Sequence, residues 1–443
     1  MSDTGFKAAA APRSGWFRRW FRRPSRLGRI LSIVSDMGAR LERTERLVLR
    51  IQKDAERVRL HTALVLGAER AISLLATGDR IYVDPRDTGC GINLLSEGRY
   101  EEDEMRWFRR FLKPGTRMLD IGANYGIYAI TAAPYIRPGG RIIAFEPNPH
   151  IHGLLSSSIY LNGLIDVIEP RRVGVSDTNG ELRFEINANS PGGARVLLPH
   201  EEPRSDHVLT AVPVVRLDDQ LGPDAIVDLV KIDVEGHEEN VLRGMQGVIA
   251  RSPDIKIFIE LFYLFFRSDE DFVRTLAFIT DDLQLTPNRI LDGGRTEVCD
   301  AAALRGQTCN LILSRGPLAP TPDLTIHPSQ LHIGADARRV GETVEWVSPG
   351  PASGERMIAH GPYVFLPAGR YRLVIDADIE GAADCRLLEN YGDLIWRQRL
   401  GPGGAHVAEL TLELDAPRLE IGFWSSGSDP ARFVLRRIEF WAA

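Results

Sequence analysis

The spacing of hydrophobic positions takes three forms in turn along this chain. Leu27, Val34, Leu41, Val48 and Ala55 recur seven apart, and Ile30, Met37, Thr44, Ile51 and Val58 do the same. This 3-4 seam predicts one long helix over Ser25–Gly67, suited to a coiled coil between copies of the chain through residues 27–58. Interrupted at Thr44, the same stripe also suits a helix packed on its own protein. From residue 117 the pattern becomes short apolar runs, at 117–121, 141–146, near 167–175, 228–233 and 255–261, separated by segments of helical period. Such runs predict parallel strands covered on both faces. Leu285–Leu291 and Asn310–Ser314 supply two later strands, and residues 181–215 read as an inserted hairpin. Beyond residue 335 the period falls to two, over Tyr371–Ile379, Ala408–Leu414 and Leu419–Trp424, with Gly/Pro turns between. Alternation of that kind predicts an all-β sandwich.

These changes divide the 443 residues into five parts. They are a basic aromatic tail (1–25), the long helix (26–67), an α/β domain (75–315), a linker (316–334) opening on Gly316-Pro-Leu-Ala-Pro-Thr-Pro, and the sandwich (335–443). Closely spaced prolines resist both helix and sheet, hence the linker. Four of the seven tryptophans (Trp346, Trp396, Trp424, Trp441) fall in the sandwich. Exposed, they would suit stacking on sugars; turned inward, they would build the core.

Charge alters this picture at the N-terminus only. Residues 1–60 hold 15 Lys/Arg and 6 Asp/Glu, so the overall net charge of −6 leaves the remainder strongly acidic. An acidic body argues against nucleic acid as partner. Gly15-Trp-Phe-Arg-Arg-Trp-Phe-Arg-Arg-Pro suits either peripheral contact of residues 15–25 with an anionic membrane surface or a basic tail without a partner. No run approaches 18 apolar residues and arginines precede any signal-like core, so a cytoplasmic protein is expected, with any membrane contact peripheral at the inner surface. Cys90, Cys299, Cys309 and Cys385 lie far apart with no Cys-x-x-Cys, which speaks against a zinc site or a disulfide framework.

The chemistry concentrates at two strand ends. Met118-Leu-Asp-Ile-Gly-Ala-Asn-Tyr-Gly closes one apolar run in a glycine turn, and Ile143-Ala-Phe-Glu-Pro ends the next in an acid. Gly122 and Gly126 permit a sharp bend and close approach of a ligand to a helix N-terminus. Glu146, at the next strand end, suits the two hydroxyls of a ribose. The turn reads Asp-x-Gly-x-x-x-Gly, which places Asp120 where a dinucleotide would carry negative charge. A nicotinamide dehydrogenase is thereby disfavoured, and a cationic nucleoside such as S-adenosylmethionine is favoured. The plain alternative is a strand-turn-helix corner with no ligand.

These motifs, with Tyr82-Val-Asp-Pro-Arg-Asp, Gly98-Arg-Tyr-Glu, Phe145-Glu-Pro-Asn-Pro, Val215-Arg-Leu-Asp-Asp and Val230-Lys-Ile-Asp-Val-Glu-Gly-His-Glu, resemble the FkbM family of methyltransferases in order and spacing over about residues 75–315. The resemblance implies a Rossmann-like class I methyltransferase sheet closed by an antiparallel edge. It implies S-adenosyl-L-methionine as cofactor, with Asp120, Gly122 and Gly126 at the methionine end and Glu146 at the ribose. Asn124 joins this set, and Asp177 is a weaker candidate for the adenine amino group, because Ser176-Asp-Thr-Asn-Gly also reads as a turn. On the acceptor side, Asp233, Glu235 and His237 leave the fourth strand at alternate positions. Asp233 is the first choice for the essential group, as base or orienter, and His237 a second candidate base. Glu260 is a weak partner of Asp233 for a divalent ion, so no metal is expected. Tyr100 and Glu101 border the acceptor mouth if functional, but Glu101 reads more simply as a helix start. The inserted hairpin would wall the acceptor site.

The expected function is O-methylation of a hydroxyl on a sugar, polysaccharide or glycolipid. The alternatives are O-methylation of a small natural product, and an inactive methyltransferase fold that binds glycans or serves as a scaffold.

Overall fold

The chain divides into two units, Met1–Val58 and Arg59–Ala443. The computed structural model describes residues 63–443 apart from 188–189, 198–201, 206, 267, 292–294, 350–353, 390–391, 427–429 and 443. The basic aromatic tail and the heptad seam lie outside the described residues. The far end of the expected long helix is described and is a strand. Leu64–Gly67 pairs antiparallel with Arg70–Leu74, which pairs with Arg80–Val83. Only Ala68 and Glu69 separate the first two, so local hairpin pairing wins over continuation of the helix.

The central sheet has eight strands: β1 (Arg117–Ile121), β2 (Arg141–Phe145), β3 (Ile168–Arg171), β4 (Leu229–Ile232), β5 (Lys256–Leu261), β6 (Thr286–Leu291), β7 (Arg295–Val298) and β8 (Cys309–Ser314). Their spatial order is β7-β6-β8-β5-β4-β1-β2-β3. The five strands β3-β2-β1-β4-β5 are parallel, and β8, β6 and β7 close the edge antiparallel. All four residues of β4 are buried, as a strand covered on both faces requires. The order reverses beside β1, so β1 and β4 diverge at the switch point where such sheets open a crevice at their carboxyl ends.

The expected third strand divides. Ile168–Arg171 stays in the central sheet, whereas Gly174–Val175 joins a second sheet with Gly180–Asn187, Ser190–Val196 and His207–Val215. The insertion is therefore a small sheet rather than a hairpin, with its own core of Phe184, Val212 and Val214.

The C-terminal part is two packed antiparallel sheets. One runs through Ala337–Val340, Thr343–Val347, Arg432–Ala442, Gly369–Glu380 and Gly403–Leu412; the other through His332–Ile333, Glu355–Leu366, Ala416–Ser426, Ala383–Glu389 and Asp393–Leu400. Strand pairing begins inside the segment read as linker, because Leu324–Ile326 pairs with Arg432–Ala442 and buries both Leu324 and Ile326. Trp346 is in the core, while Trp396, Trp424 and Trp441 are half-buried. The Trp424 indole lies on Gly422, where a Cβ would come within 2.2 Å of it, and the Arg386 guanidinium sits 4.6 Å from its centroid. None of the four offers a fully exposed ring.

The sandwich is fixed to the α/β body by polar anchors. Asp323 accepts from Arg106 Nε and Arg110 Nη2 at 2.9 Å each and from the Ala442 backbone N–H at 2.7 Å. Tyr135 donates its hydroxyl to the Phe365 carbonyl at 2.9 Å. Among the described residues no helix is long and apolar enough to cross a membrane.

Candidate active site

The glycine turn after β1 is stitched to the end of β2, since Gly122 N–H and Ala123 N–H both donate to the Phe145 carbonyl, at 3.0 and 2.9 Å. Gly122 has φ +79°, and a Cβ there would lie 1.8 Å from the Asp233 carbonyl oxygen. Gly126 has φ +89° and backs onto Leu155, 2.4 Å from a built Cβ. Both glycines thus leave space for a neighbouring segment, and Gly122 lines the cavity as well. Replacing Gly122 with Ala combines left-handed strain with a backbone clash and should cost about 3 kcal/mol or more. Denaturant unfolding of the variant measures this; a midpoint equal to that of the parent would refute it.

Asn124 also holds a left-handed backbone, φ +50°, without being glycine. Its N–H donates to Glu146 Oε2 at 2.9 Å and its Nδ2 to the Gly192 carbonyl at 3.2 Å. Glu146 Oε1 accepts from Asn148 N–H at 2.8 Å. Each oxygen of this buried carboxylate has one backbone donor and keeps a lone pair for another. Burial lifts the Glu146 pKa to about 7 against the pull of those two N–H groups. Asp120, at the end of β1, accepts from the Ala129 N–H at 3.1 Å and satisfies a donor in the first turn of helix Ile127–Ile136. It too is raised to about 7 by burial, opposed by the charge of Lys231, its neighbour across the parallel ladder.

Lys231 was not singled out by the sequence, and it organises the other half of the site. Its buried ammonium lies 3.4 Å from Asp233 Oδ2, 3.6 Å from Glu101 Oε2 and 5.0 Å from the centroid of the Tyr128 ring. Burial disfavours its charge, yet the surrounding carboxylates of Asp233, Glu101, Glu260 and Asp120 hold its pKa above the ordinary lysine value. Glu101 sits at the start of helix Glu102–Arg110 with φ +48° and makes no side-chain cap. It accepts instead from the Tyr128 hydroxyl, so its side chain belongs to the acid cluster and not to helix initiation. Glu101, Asp233 and Glu260 bring carboxylate oxygens within 4.8 Å of one another. The positive charge that the chain itself supplies there is the Lys231 ammonium. Glu260 and Glu235 are both raised to about 7, first by burial and then by Asp233.

Asp233, Glu235 and His237 all line one cavity, and His237 has a partner of its own there. His237 Nε2 is 2.9 Å from Ser176 Oγ, and burial drops its pKa to about 4 with only Asp177 opposing. The imidazole is therefore neutral and a weak base. It occupies the N-cap of helix Glu238–Gly244, just before the first turn. Asp177 accepts from Ser176 Oγ at 3.1 Å and is absent from the cavity wall, which His237 lines.

A cavity of about 360 Å³ joins these groups, with Asp120, Gly122, Glu146, Asp233, Glu235 and His237 in its wall. The inserted sheet supplies the opposite side through Pro191, Gly192 and Phe184. Asp87, in the upstream motif, ties that wall down. Its carboxylate accepts from Ser190 Oγ at 2.8 Å, Tyr125 Oη at 2.9 Å, and the Gly89 and Gly91 N–H groups at 3.0 and 3.1 Å. Two buried polar atoms of the wall, Asn124 Oδ1 and His237 Nδ1, have no partner among the described residues. Together with the open lone pairs of Glu146 they form a polar lining that fits a nucleoside with hydroxyl and amino donors.

Residues 120–284 match the family described as Methyltransferase FkbM domain. The curated relative methyltransferase sdnD from Sordaria araneosa is 29% identical over 159 residues, covering 29% of this chain and 60% of the relative. Hexuronic acid methyltransferase AglP from Haloferax volcanii is 27% identical over 158 residues, covering 36% and 56%. The chain thus spans somewhat over half the length of these relatives. The crystal structure of an FkbM methyltransferase from Methylobacillus flagellatus aligns with 33% of this chain and 32% of its own, at 18% identity and a TM-score of 0.24.

Proposed function

From the FkbM methyltransferase domain that this chain carries at residues 120–284, we propose that the protein is an S-adenosylmethionine-dependent O-methyltransferase acting on a sugar hydroxyl. The observation that carries the reading is the Glu146 carboxylate, anchored by two backbone N–H groups and bordering the cavity that Asp233 also enters. The sugar-directed name of the Haloferax relative supports the acceptor class.

When bound, S-adenosylmethionine supplies a methyl group on a positively charged sulfur. Glu146 would hold the ribose hydroxyls, Asp120 would face the cationic methionine end, and His237 with Asn124 would offer polar contacts to the base. Asp233 would take the proton that the acceptor hydroxyl gives up on methylation. The Lys231 ammonium, 3.4 Å from Asp233 and 3.6 Å from Glu101, offsets the mutual repulsion of these carboxylates and holds Asp233 in place. The test is to incubate the full chain with labelled S-adenosylmethionine and a panel of monosaccharides and uronic acids, and to follow label into the sugar. Transfer to nonsugar hydroxyls alone would overturn the acceptor class, and no transfer or cofactor turnover would overturn the reaction.

The pKa of Glu146 gives this reading a pH signature. Only the ionised carboxylate accepts from both ribose hydroxyls, so the ligand draws the proton off and binds more weakly where the proton is held. Affinity for S-adenosylhomocysteine should therefore fall about tenfold per pH unit below about 7 and level off above it. Glu146→Gln should bind weakly with a shallower profile. A flat profile in the parent protein, measured by calorimetry, would contradict the assignment.

A further inference from the structure

A second cavity, of about 370 Å³, adjoins the first, and Val196 and Glu235 line both. Its floor is aromatic. Phe262 and Phe265, in the turn after β5, lie with ring centroids 5.0 Å apart and planes tilted by 39°. Phe265 rests directly on Gly236, where a built Cβ would come 2.9 Å from its Cβ and Cγ atoms, so the glycine of the Asp-Val-Glu-Gly run sets the height of this shelf. Leu264 beside it is 79% exposed. Such a shelf, half-buried and next to the transfer site, offers ring faces to the C–H face of a pyranose.

The opposite wall is cationic. Arg195 and Arg204 line it, both carried by the inserted sheet and its following segment. Buried Glu185 stands behind them, 3.3 Å from Arg195 Nη2, and it accepts the Arg204 backbone N–H at 2.7 Å. His207 Nδ1 is also near that carboxylate, at 3.4 Å. Glu185 is thus already engaged, while the Arg204 side chain is exposed and contacts it through the backbone alone. Arg195 is paired with Glu185, and the exposed Arg204 guanidinium brings positive charge to a cavity whose own acid, Glu235, is raised to about 7 by burial, which complements an anion.

Resting on the methyl-transfer reading, we propose that this outer cavity is the acceptor's recognition subsite and that it takes a sugar residue bearing a carboxylate. The ring lies on Phe262 and Phe265, the carboxylate meets Arg204 and Arg195, and a hydroxyl reaches past Glu235 toward Asp233.

Calorimetric titration of methyl glucuronide and methyl glucoside into the full chain, with and without saturating S-adenosylhomocysteine, tests this. The glucuronide should bind the loaded protein at least about tenfold more tightly than the glucoside. Arg204→Ala should lose about that factor for the glucuronide, leave the glucoside unchanged and retain S-adenosylhomocysteine binding. Equal affinity for the two sugars, no binding of either, or an Arg204→Ala variant without effect overturns the subsite. Failure of S-adenosylhomocysteine to bind overturns the methyl-transfer reading instead, and the sugar titrations on the unloaded protein then decide the subsite separately.

Discussion

Glu146→Ala is expected to weaken S-adenosylmethionine and S-adenosylhomocysteine binding by about 100-fold, the equivalent of two hydrogen bonds to a charged acceptor at about 1.5 kcal/mol each. The loss has two sources. The ribose would lose both acceptors, and the N–H groups of Asn124 and Asn148 would lose the carboxylate that fixes the turn. Asn124 then has less to hold it at φ +50°, so the wall beside the ligand loosens as well. Calorimetry on a variant shown by circular dichroism to be folded measures the effect. Affinity within a few-fold of the parent would mean that the cofactor lies elsewhere.

Asp233→Asn should leave the cofactor affinity nearly unchanged and reduce turnover by about 10²- to 10⁴-fold, the range typical for loss of a positioned general base. The substitution keeps the shape of the side chain and leaves untouched the backbone carbonyl on which Gly122 packs. What it removes is the charge 3.4 Å from the Lys231 ammonium and the ability to take a proton from the attacking hydroxyl. Glu101 remains beside Lys231, so the ammonium keeps a counter-charge and the fold should survive. Single-turnover assays with saturating cofactor separate the two effects. Retained turnover would transfer the role to another carboxylate of the cluster, with Glu260 and Glu235 the groups to change next.

Contact patterns explain why some residues were legible and others not. Asp120, Gly122, Gly126 and Glu146 sit at the carboxyl ends of adjacent strands, and the strands declare themselves through apolar runs. A local pattern thus places Asp120, Gly122 and Glu146 in one crevice, with Gly126 packed behind it on Leu155. Glu101 carried a local signal that pointed elsewhere, since an acid before an amphipathic segment reads as a helix start. Its partner Tyr128 is 27 residues away and Lys231 much farther, and no periodicity links them. Lys231 itself looked like one polar position in a buried strand; a charge at such a place, which burial tolerates only when paired, was the available signal. The contact between Ser176 and His237 left no trace for a related reason, since the two lie 61 residues apart.

The sequence by itself determined the run of short apolar strands of a parallel sheet, the alternating strands of the C-terminal sandwich, and the glycine turn facing an acidic strand end, while the antiparallel edge was implied only by the family resemblance. The first three follow from periods of two and 3.6 and from residues with singular backbone freedom, which act over a few positions. The tertiary structure alone decided that Gly122 is required by the Asp233 carbonyl, that four carboxylates gather around one ammonium, that Asp87 pins the inserted sheet, and that a second cavity with an aromatic shelf opens beside the first. Each of those depends on side chains brought together across tens to hundreds of residues, where burial and charge pairing are set by packing and leave no periodic trace in the chain.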